Sequence, residues 1–440
     1  MPARASFQPN RAAVSRMDSL PQMLSVAEAR RRILDQFHAL GSENVALVDA
    51  DRRVLAEPAV ARQDLPPFAN SSMDGYAVRL SDVAAAAAER PVALPVSADI
   101  PAGSGLPAPL APGSAARIMT GAPVPAGADA VIPVEDTDDS RERAGGPAPA
   151  VVRLFRAPSA SANIRPAGQD VRAGQLVLAA GTLLGPASLG VLAALGQTVV
   201  PVYRRPRLAV FSTGDELVEP DAVPGPGQIR NVNSHTLAAA AARLGAQVER
   251  LPIAGDRVEG VLERLAAARS LGADLILSSA GVSVGAYDVV KAAVEAEGAL
   301  DFWRVRMRPG KPLAFGHVRG VPFFGLPGNP VSALMSFEVF VRPVLLKLGG
   351  RLELGRLQVV ARLEAPLSSD GRETYLRVIV GRRGQELVAR PAGDQGSAVL
   401  SSLVRANGLL ILPEGVTQAQ AGQAFPVWLL EGAESGLPEI

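Results

Sequence analysis

"RLAVFST" at 207–213 is an apolar run of strand length, and "SHTLAAAAARLG" at 234–245 follows it with helical spacing. The alternation repeats twice, as "AQVERLPIAG" (246–255) with "VEGVLERLAAARSLG" (258–272) and "ADLILSSAG" (273–281) with "DVVKAAVEAEG" (288–298). Strand and helix in turn predict a parallel sheet covered on both faces, a doubly wound α/β domain. Three further segments, "DFWRVRMRPG" (301–310), "PLAFGHV" (312–318) and "VPFFGLPG" (321–328), lead into "GLPGNPVS" at 325–332, ahead of a helical stretch from Ala333 to Leu348. Proline fixes its own φ and restricts its predecessor, while glycine reaches backbone shapes other residues avoid, so this loop is a stiff turn presenting main-chain N–H groups. It stands at a strand's carboxyl end, where open α/β sheets bind ligands, and before a helix N-terminus carrying roughly half a positive charge. Such a turn suits an anion.

Outward from this unit, assigned to 206–348, the pattern changes on both sides. After Gly349 helices stop, and strands such as "LQVVARLEA", "TYLRVIVG", "ELVARPA" and "GLLILPE" predict a small β-barrel over 349–440. On the other side residues 25–60 read as a helical lead-in, with Ser25 as N-cap and Glu28 completing a capping box. Mixed and helical character returns at 154–205, which is expected to pack with those first helices as a discontinuous domain, 22–61 and 154–205. Between them, 62–153 breaks into short β-like pieces separated by Gly and Pro, an inserted β-rich domain. Its polar segment "DTDDSRERAGGPAPA" (136–150) reads as a solvated hairpin loop, and residues 1–21 as a flexible extension.

At 440 residues the chain exceeds one core, and a prior of about 150 residues per domain gives roughly three. With 44 basic against 43 acidic residues, bulk charge implies no polyanion-binding surface, so nucleic acid is not an expected partner. The absence of cysteine removes disulfides, thiolate metal sites and cysteine nucleophiles. Three scattered histidines, His38, His235 and His317, lack zinc spacing, so any metal must be oxygen-liganded. No run of 18 apolar residues and no secretory h-region is present, which gives an expectation of cytoplasmic placement without a membrane span.

Three strand ends of the α/β unit deliver acids: "STGDEL" gives Asp215 and Glu216, "IAGDR" gives Asp256, and "SAGVSVGAYD" gives Asp288. Converging carboxylates suit a hard cation such as Mg2+, although one such acid alone more often caps a helix. Gly281, Ser283 and Gly285 offer small residues and free N–H groups to a phosphate, or form a plain tight turn. "GPGQIRNVN" (225–233) follows no strand and lacks GxGxxG spacing, so a dinucleotide fingerprint is rejected. Arg306, Arg308 and Lys311 around a Pro-Gly turn form a basic knuckle able to hold a tetrahedral oxyanion.

"SSMDGYAVR", "RIMTGAPVPAGADAVIPVE", "NIRPAGQD", "STGDEL", "SAGVSVGAYD", "RPGKPLAFG", "GLPGNPVSA" and "LSSLVRANGLLILPEG", in that order across about residues 20–430, together resemble the molybdopterin molybdenumtransferase family, which includes the gephyrin E domain. The resemblance implies an enzyme that takes adenylylated molybdopterin and molybdate, cleaves the adenylate with a divalent cation and inserts molybdenum. It implies that Asp256 and Asp288, supported by Glu216, serve the cation and the cleavage. Lys311, Pro327, Pro330 and Ser332 would shape the molybdate and pterin-phosphate pocket, with Arg372 and Ser397 of the barrel near molybdate. Asp74, Thr120, Arg165 and Asp170 match family positions near the cleft, reached across a homodimer. A molybdopterin adenylyltransferase is an implied partner; that same activity, or a non-catalytic pterin-binding scaffold, is the alternative reading of the chain. Two residues depart from the family pattern: Arg308 stands where lysine is common, and Ala280 where glycine is common, an exchange that a negative φ would tolerate.

Overall fold

The computed structural model describes residues 23–139, 146–280, 287–430 and 436–439; for residues 287, 288 and 301–303 the description is of backbone alone. The proposed extension at 1–21 and the middle of the 136–150 loop lie outside the described residues.

Six strands build the α/β sheet: β1 (Arg207–Ser212), β2 (Gln247–Arg250), β3 (Leu275–Ser279), β4 (Gly298–Arg304), β5 (Pro312–Val318) and β6 (Val321–Leu326), in the order β2-β1-β3-β6-β5-β4. β2, β1, β3 and β6 are parallel, but β5 runs antiparallel to both of its neighbours. The sheet is therefore mixed rather than parallel throughout. The cause is local: Arg319 and Gly320 alone join β5 to β6, with φ of 46° and 83°. Two residues with positive φ form the tight turn whose twist matches a hairpin, and they cannot supply the crossover that a parallel pair needs.

Helices α1 (Asn233–Arg243), α2 (Val258–Ser270), α3 (Tyr287–Glu297) and α4 (Pro330–Ser336) cover the sheet. Along β1, Leu208 and Val210 enter one core with Leu237 and Ala241 of α1, while Ala209 and Phe211 enter the other with Val261 and Leu265 of α2. This alternation is the two-residue period of a strand buried on both faces.

The helical lead-in is corrected in two ways. The helix stops at Leu34, and its Val26, Ala29 and Ile33 pack into the α/β core rather than against 154–205. Residues Ser42–Ala46 instead pair as a strand with Val199–Tyr203, a long-range pairing that the local pattern of "SENVA" does not announce. Ser25 does cap the helix, accepting the Glu28 N–H at 3.2 Å. The reciprocal half of the box is missing, because hydrogen bonds from Arg31 and Arg32 take the Glu28 carboxylate and lower its pKa to about 2.

Between these segments, Gly75–Val78, Val92–Ile100, Ala115–Ile118, Ala130–Pro133 and Val151–Leu154 form one five-stranded sheet. At the C-terminus, strands 373–383, 386–391, 358–363, 424–429 and 408–412 pair in that order, and the last returns to the first to close a barrel. Closure removes free strand edges. Helix does not stop at Gly349, however, since Ser401–Arg405 forms a short helix beside the barrel. Met307–Arg308 adds to the barrel in parallel with Glu373–Thr374, which ties the basic turn of the α/β unit to it.

A Cβ at Gly316 would lie 2.1 Å from the Ala299 carbonyl oxygen across the β4–β5 pair, whereas one at Gly105 would meet nothing within 4 Å. Gly316→Ala should therefore lower unfolding free energy by about 1–3 kcal/mol, as overpacking does. Gly105→Ala should leave the denaturant midpoint unchanged, and equal midpoints for the two variants would refute the close approach.

Candidate active site

A cleft of about 610 Å3 opens at the carboxyl ends of β1, β3 and β6. β1 sits between β2 and β3, so the chain leaves it in opposite directions, and the crevice at such a switch point is where open α/β sheets bind ligands. Pro327, Pro330 and Ser332 of the stiff turn line it, together with Glu216, Ala280 and Pro312, and the barrel contributes Ala398.

The opposite wall comes from the segment rejected as a dinucleotide loop. Asn231 and Asn233 line the cleft where α1 begins. Asn233 is 8% exposed; its Nδ2 donates to Ser279 Oγ at 2.7 Å and to the Gly328 carbonyl at 2.6 Å, while its Oδ1 has no partner among the described residues. It thus joins the end of β3 to the Pro327–Pro330 turn. Asn231 accepts from Ser212 Oγ at 2.9 Å and donates to Ser234 Oγ and Glu219. Burial pulls the Glu219 carboxyl up, but hydrogen bonds from Asn231, Arg250 and His235 outweigh it and leave the group below its ordinary range. The signal for these residues is the pair of asparagines flanking Val232 where a helix begins, which the glycines of the preceding GPG overshadow.

The acids divide into two roles. Asp215 and Asp256 brace each other's loops: the Asp256 N–H donates to Asp215 Oδ1 at 3.1 Å, and the Asp215 N–H reaches Asp256 Oδ2 at 3.4 Å. Glu216 reaches the cleft and makes no side-chain hydrogen bond or ion pair among the described residues. No group of three or more His, Asp or Glu side chains able to hold a metal occurs among the described residues. Asp288 lies in the first turn of α3 but its side chain is outside the description, as are Gly281, Ser283 and Gly285.

On the barrel side, Asn329 Nδ2 donates to Ser397 Oγ and the Val331 N–H to the Ser397 carbonyl, both at 3.1 Å. Arg372 donates to the Met307 carbonyl and clasps Asp370, which stands 4.0 Å from Arg308. Hydrogen bonding from Arg372 holds the Asp370 carboxyl below its usual range. Arg308 is exposed and so is Lys311, next to the cleft residue Pro312. Arg308 and Arg372 thus share Asp370, while Ser397 docks on the Asn329–Val331 turn, and none of Arg308, Lys311, Arg372 and Ser397 lines the cleft itself.

Asp74 and Thr120 meet at the edge of the inserted sheet, just outside strands Gly75–Val78 and Ala115–Ile118, the Asp74 carboxylate accepting the Thr120 N–H and hydroxyl at 2.7 Å each. Arg165 pairs with Asn70 nearby, and exposed Asp170 donates its N–H to the Leu65 carbonyl. None of these four lines the cleft of its own chain.

Comparison with known proteins accounts for most of the chain. The MoeA N-terminal region (domain I and II) matches residues 24–196, a probable molybdopterin binding domain 209–347, and the MoeA C-terminal region (domain IV) 360–430. The chain belongs to the MoeA family. Molybdopterin molybdenumtransferase 2 of Mycobacterium tuberculosis is 43% identical over 416 residues, covering 92% of this chain and 99% of that protein. The molybdopterin molybdenumtransferase of Haemophilus influenzae is 35% identical over 411 residues, 92% and 98% of the two chains. Among solved structures, a molybdopterin biosynthesis MoeA protein from Pyrococcus horikoshii superposes with a TM-score of 0.79 at 31% identity, covering 93% of this chain and 100% of that one.

Within this MoeA chain, Ala280 does not have the negative φ that would tolerate it: φ is 71°. The left-handed region brings an alanine Cβ too close to the following carbonyl, and here it also faces Gly328 across the cleft floor. Ala280→Gly should stabilise the protein by up to about 1 kcal/mol, the left-handed cost less the added chain entropy of glycine. A denaturant midpoint that falls instead would count against that conformation.

The Thr120 N–H and then its hydroxyl hold the Asp74 carboxyl below its ordinary value. A depressed folded pKa gives stability that is present above the unfolded carboxylate pKa and lost as pH falls through the folded one. Thr120→Val keeps the backbone donor and removes the hydroxyl, so the Asp74 carbon-13 titration should shift upward toward, but not reach, the ordinary carboxylate range. An unshifted titration would remove the hydroxyl from this pair.

Proposed function

We infer that the protein is a molybdopterin molybdenumtransferase, a transferase of molybdenum cofactor biosynthesis that inserts molybdenum into molybdopterin. The observation that carries this reading is that all three MoeA regions match in order along the chain, barrel included, with relatives of that name aligned nearly end to end. The switch-point cleft supports it, being of a volume that suits a pterin-sized ligand.

The substrate is adenylylated molybdopterin, and molybdate is the metal source. Glu216, Asp256 and Asp288 would hold Mg2+, which would supply charge neutralisation at the phosphates. Two of these three suit a hard cation, since Glu216 and Asp256 are exposed carboxylates with no cationic side chain bound to them among the described residues. The backbone of Gly281, Ser283 and Gly285 receives phosphate oxygens, and Pro327, Pro330 and Ser332 fix the turn that faces them. Arg308, Lys311 and Arg372 bind the oxyanion, with Ser397 beside them. A guanidinium at 308 offers two coplanar donors in place of one ammonium point charge.

Asp74, Thr120, Arg165 and Asp170 complete the cleft of a second copy in a homodimer, since they do not reach the cleft of their own chain. Two-fold symmetry then gives two equivalent composite sites. The reaction is tested by incubating the protein with adenylylated molybdopterin, molybdate and Mg2+, with AMP and metal-bound pterin as the readouts. Asp288→Asn should lower AMP release by orders of magnitude with an unchanged melting temperature, and near-normal release would sink the cation assignment. A purified heterodimer of Asp74→Ala and Asp288→Asn chains should regain about half of wild-type activity, because one composite site is intact. An inactive heterodimer would place the acids in cis, and an active Asp74→Ala homodimer would reduce Asp74 to a turn residue.

A further inference from the structure

Arg377, in the barrel strand Glu373–Arg383, is 1% exposed and is the bulkiest wholly buried side chain among the described residues. Its Nε donates to Ser402 Oγ, and its Nη2 to the Asp394 and Gly396 carbonyls, all at 3.0 Å. No carboxylate forms an ion pair with it among the described residues. Burial accordingly pulls the guanidinium below its ordinary pKa, opposed only in part by the charge of Asp394. A buried cation met by carbonyls is costly, and apolar replacements of buried charges are often neutral or stabilising. Barrel stability alone is thus a poor reason for an arginine here.

What the arginine grips is a single loop. Its own N–H donates to Gln395 Oε1 at 2.9 Å, and Gln395 Nε2 returns to the Arg377 carbonyl at 3.0 Å. Asp394 Oδ1 accepts the Gly396 N–H at 2.6 Å, which closes the loop on itself. The next two residues leave the barrel: Ser397 takes hydrogen bonds from Asn329 and Val331, and Ala398 lines the cleft. The contacts form one continuous series, from Arg377 through 394–396 and 397–398 to the 327–332 turn.

We propose that Arg377 is a positioning residue for the substrate cleft, fixing the 394–398 loop so that Ser397 and Ala398 close against the Pro327–Ser332 turn. The planar guanidinium suits this task because it serves three acceptors in set directions, which a lysine ammonium on a flexible stem cannot do. The effect on catalysis rests on the reading that this cleft holds the pterin substrate; the effect on the loop does not.

The test uses full-length Arg377→Lys and Arg377→Met. Amide hydrogen exchange should accelerate about tenfold or more at Val331, whose N–H is covered by Ser397, because local opening alone is made easier. Strand 408–412, which closes the barrel, should keep its protection. In turnover assays KM for adenylylated molybdopterin should rise about tenfold with kcat within about twofold, the pattern of lost binding rather than lost chemistry. Arg377→Ala should recover both properties on addition of ethylguanidinium and neither on addition of ethylamine. Unchanged Val331 exchange in both variants would overturn the proposal. So would exchange accelerated equally in strand 408–412, which would mark a general barrel defect, or faster loop exchange with unaltered KM. Should Arg377→Met fail to fold, Arg377→Lys and the rescue decide. A wild-type protein without turnover would sink the functional reading alone, and the exchange measurement would still decide the anchor.

Discussion

The two-residue turn at Arg319–Gly320 sets where everything at the cleft can sit. With both residues at positive φ, β5 and β6 must lie as an antiparallel pair, and β6 then runs parallel beside β3 in the register Ser279 to Leu326. That register brings Ala280 and Pro327 to the same edge. The antiparallel β5 starts at that edge too, so Pro312 lines the cleft from a third side. A longer crossover could have placed β6 elsewhere in the sheet, and the stiff turn would then have faced no partner.

Rigidity at the cleft comes from polar links between separate elements rather than from apolar packing. Asn233 bridges the ends of β3 and the turn, Asn231 bridges β1 to α1, and Asp215 and Asp256 bridge adjacent strand ends. Each link ties loops that would otherwise be independent. Such satisfied networks hold a site in one arrangement, while a half-satisfied one costs stability, and the unpartnered Asn233 Oδ1 is the point at which this network is incomplete among the described residues. The barrel takes part in the same way, through Met307–Arg308 pairing with Glu373–Thr374 and through Ser397 on the turn.

Much of this was legible along the chain. Strands and helices of the α/β unit follow from local hydrophobic period, and Pro327, Pro330 and Ser332 were found because a Pro- and Gly-rich turn at a strand end is a local signal. The helix at Val26–Leu34 was legible, but its partner was not, since an amphipathic face says only that something covers it. Asn231, Asn233 and Arg377 were missed for a common reason. Asparagine before a helix or arginine in a strand is ordinary by type, and what distinguishes each is the element that it touches far along the chain.

The sequence by itself determined the family, the α/β alternation, the absence of thiol chemistry and the composition of the cleft's turn, because these depend on residue identity and short spacings. Tertiary structure alone decided the pairing of Ser42–Ala46 with Val199–Tyr203, the positive φ of Ala280 and the docking of the barrel loop on Val331. Each of those depends on contacts between segments tens to hundreds of residues apart. Their favourable free energy appears only once the chain has closed those long loops, and no local pattern records that closure.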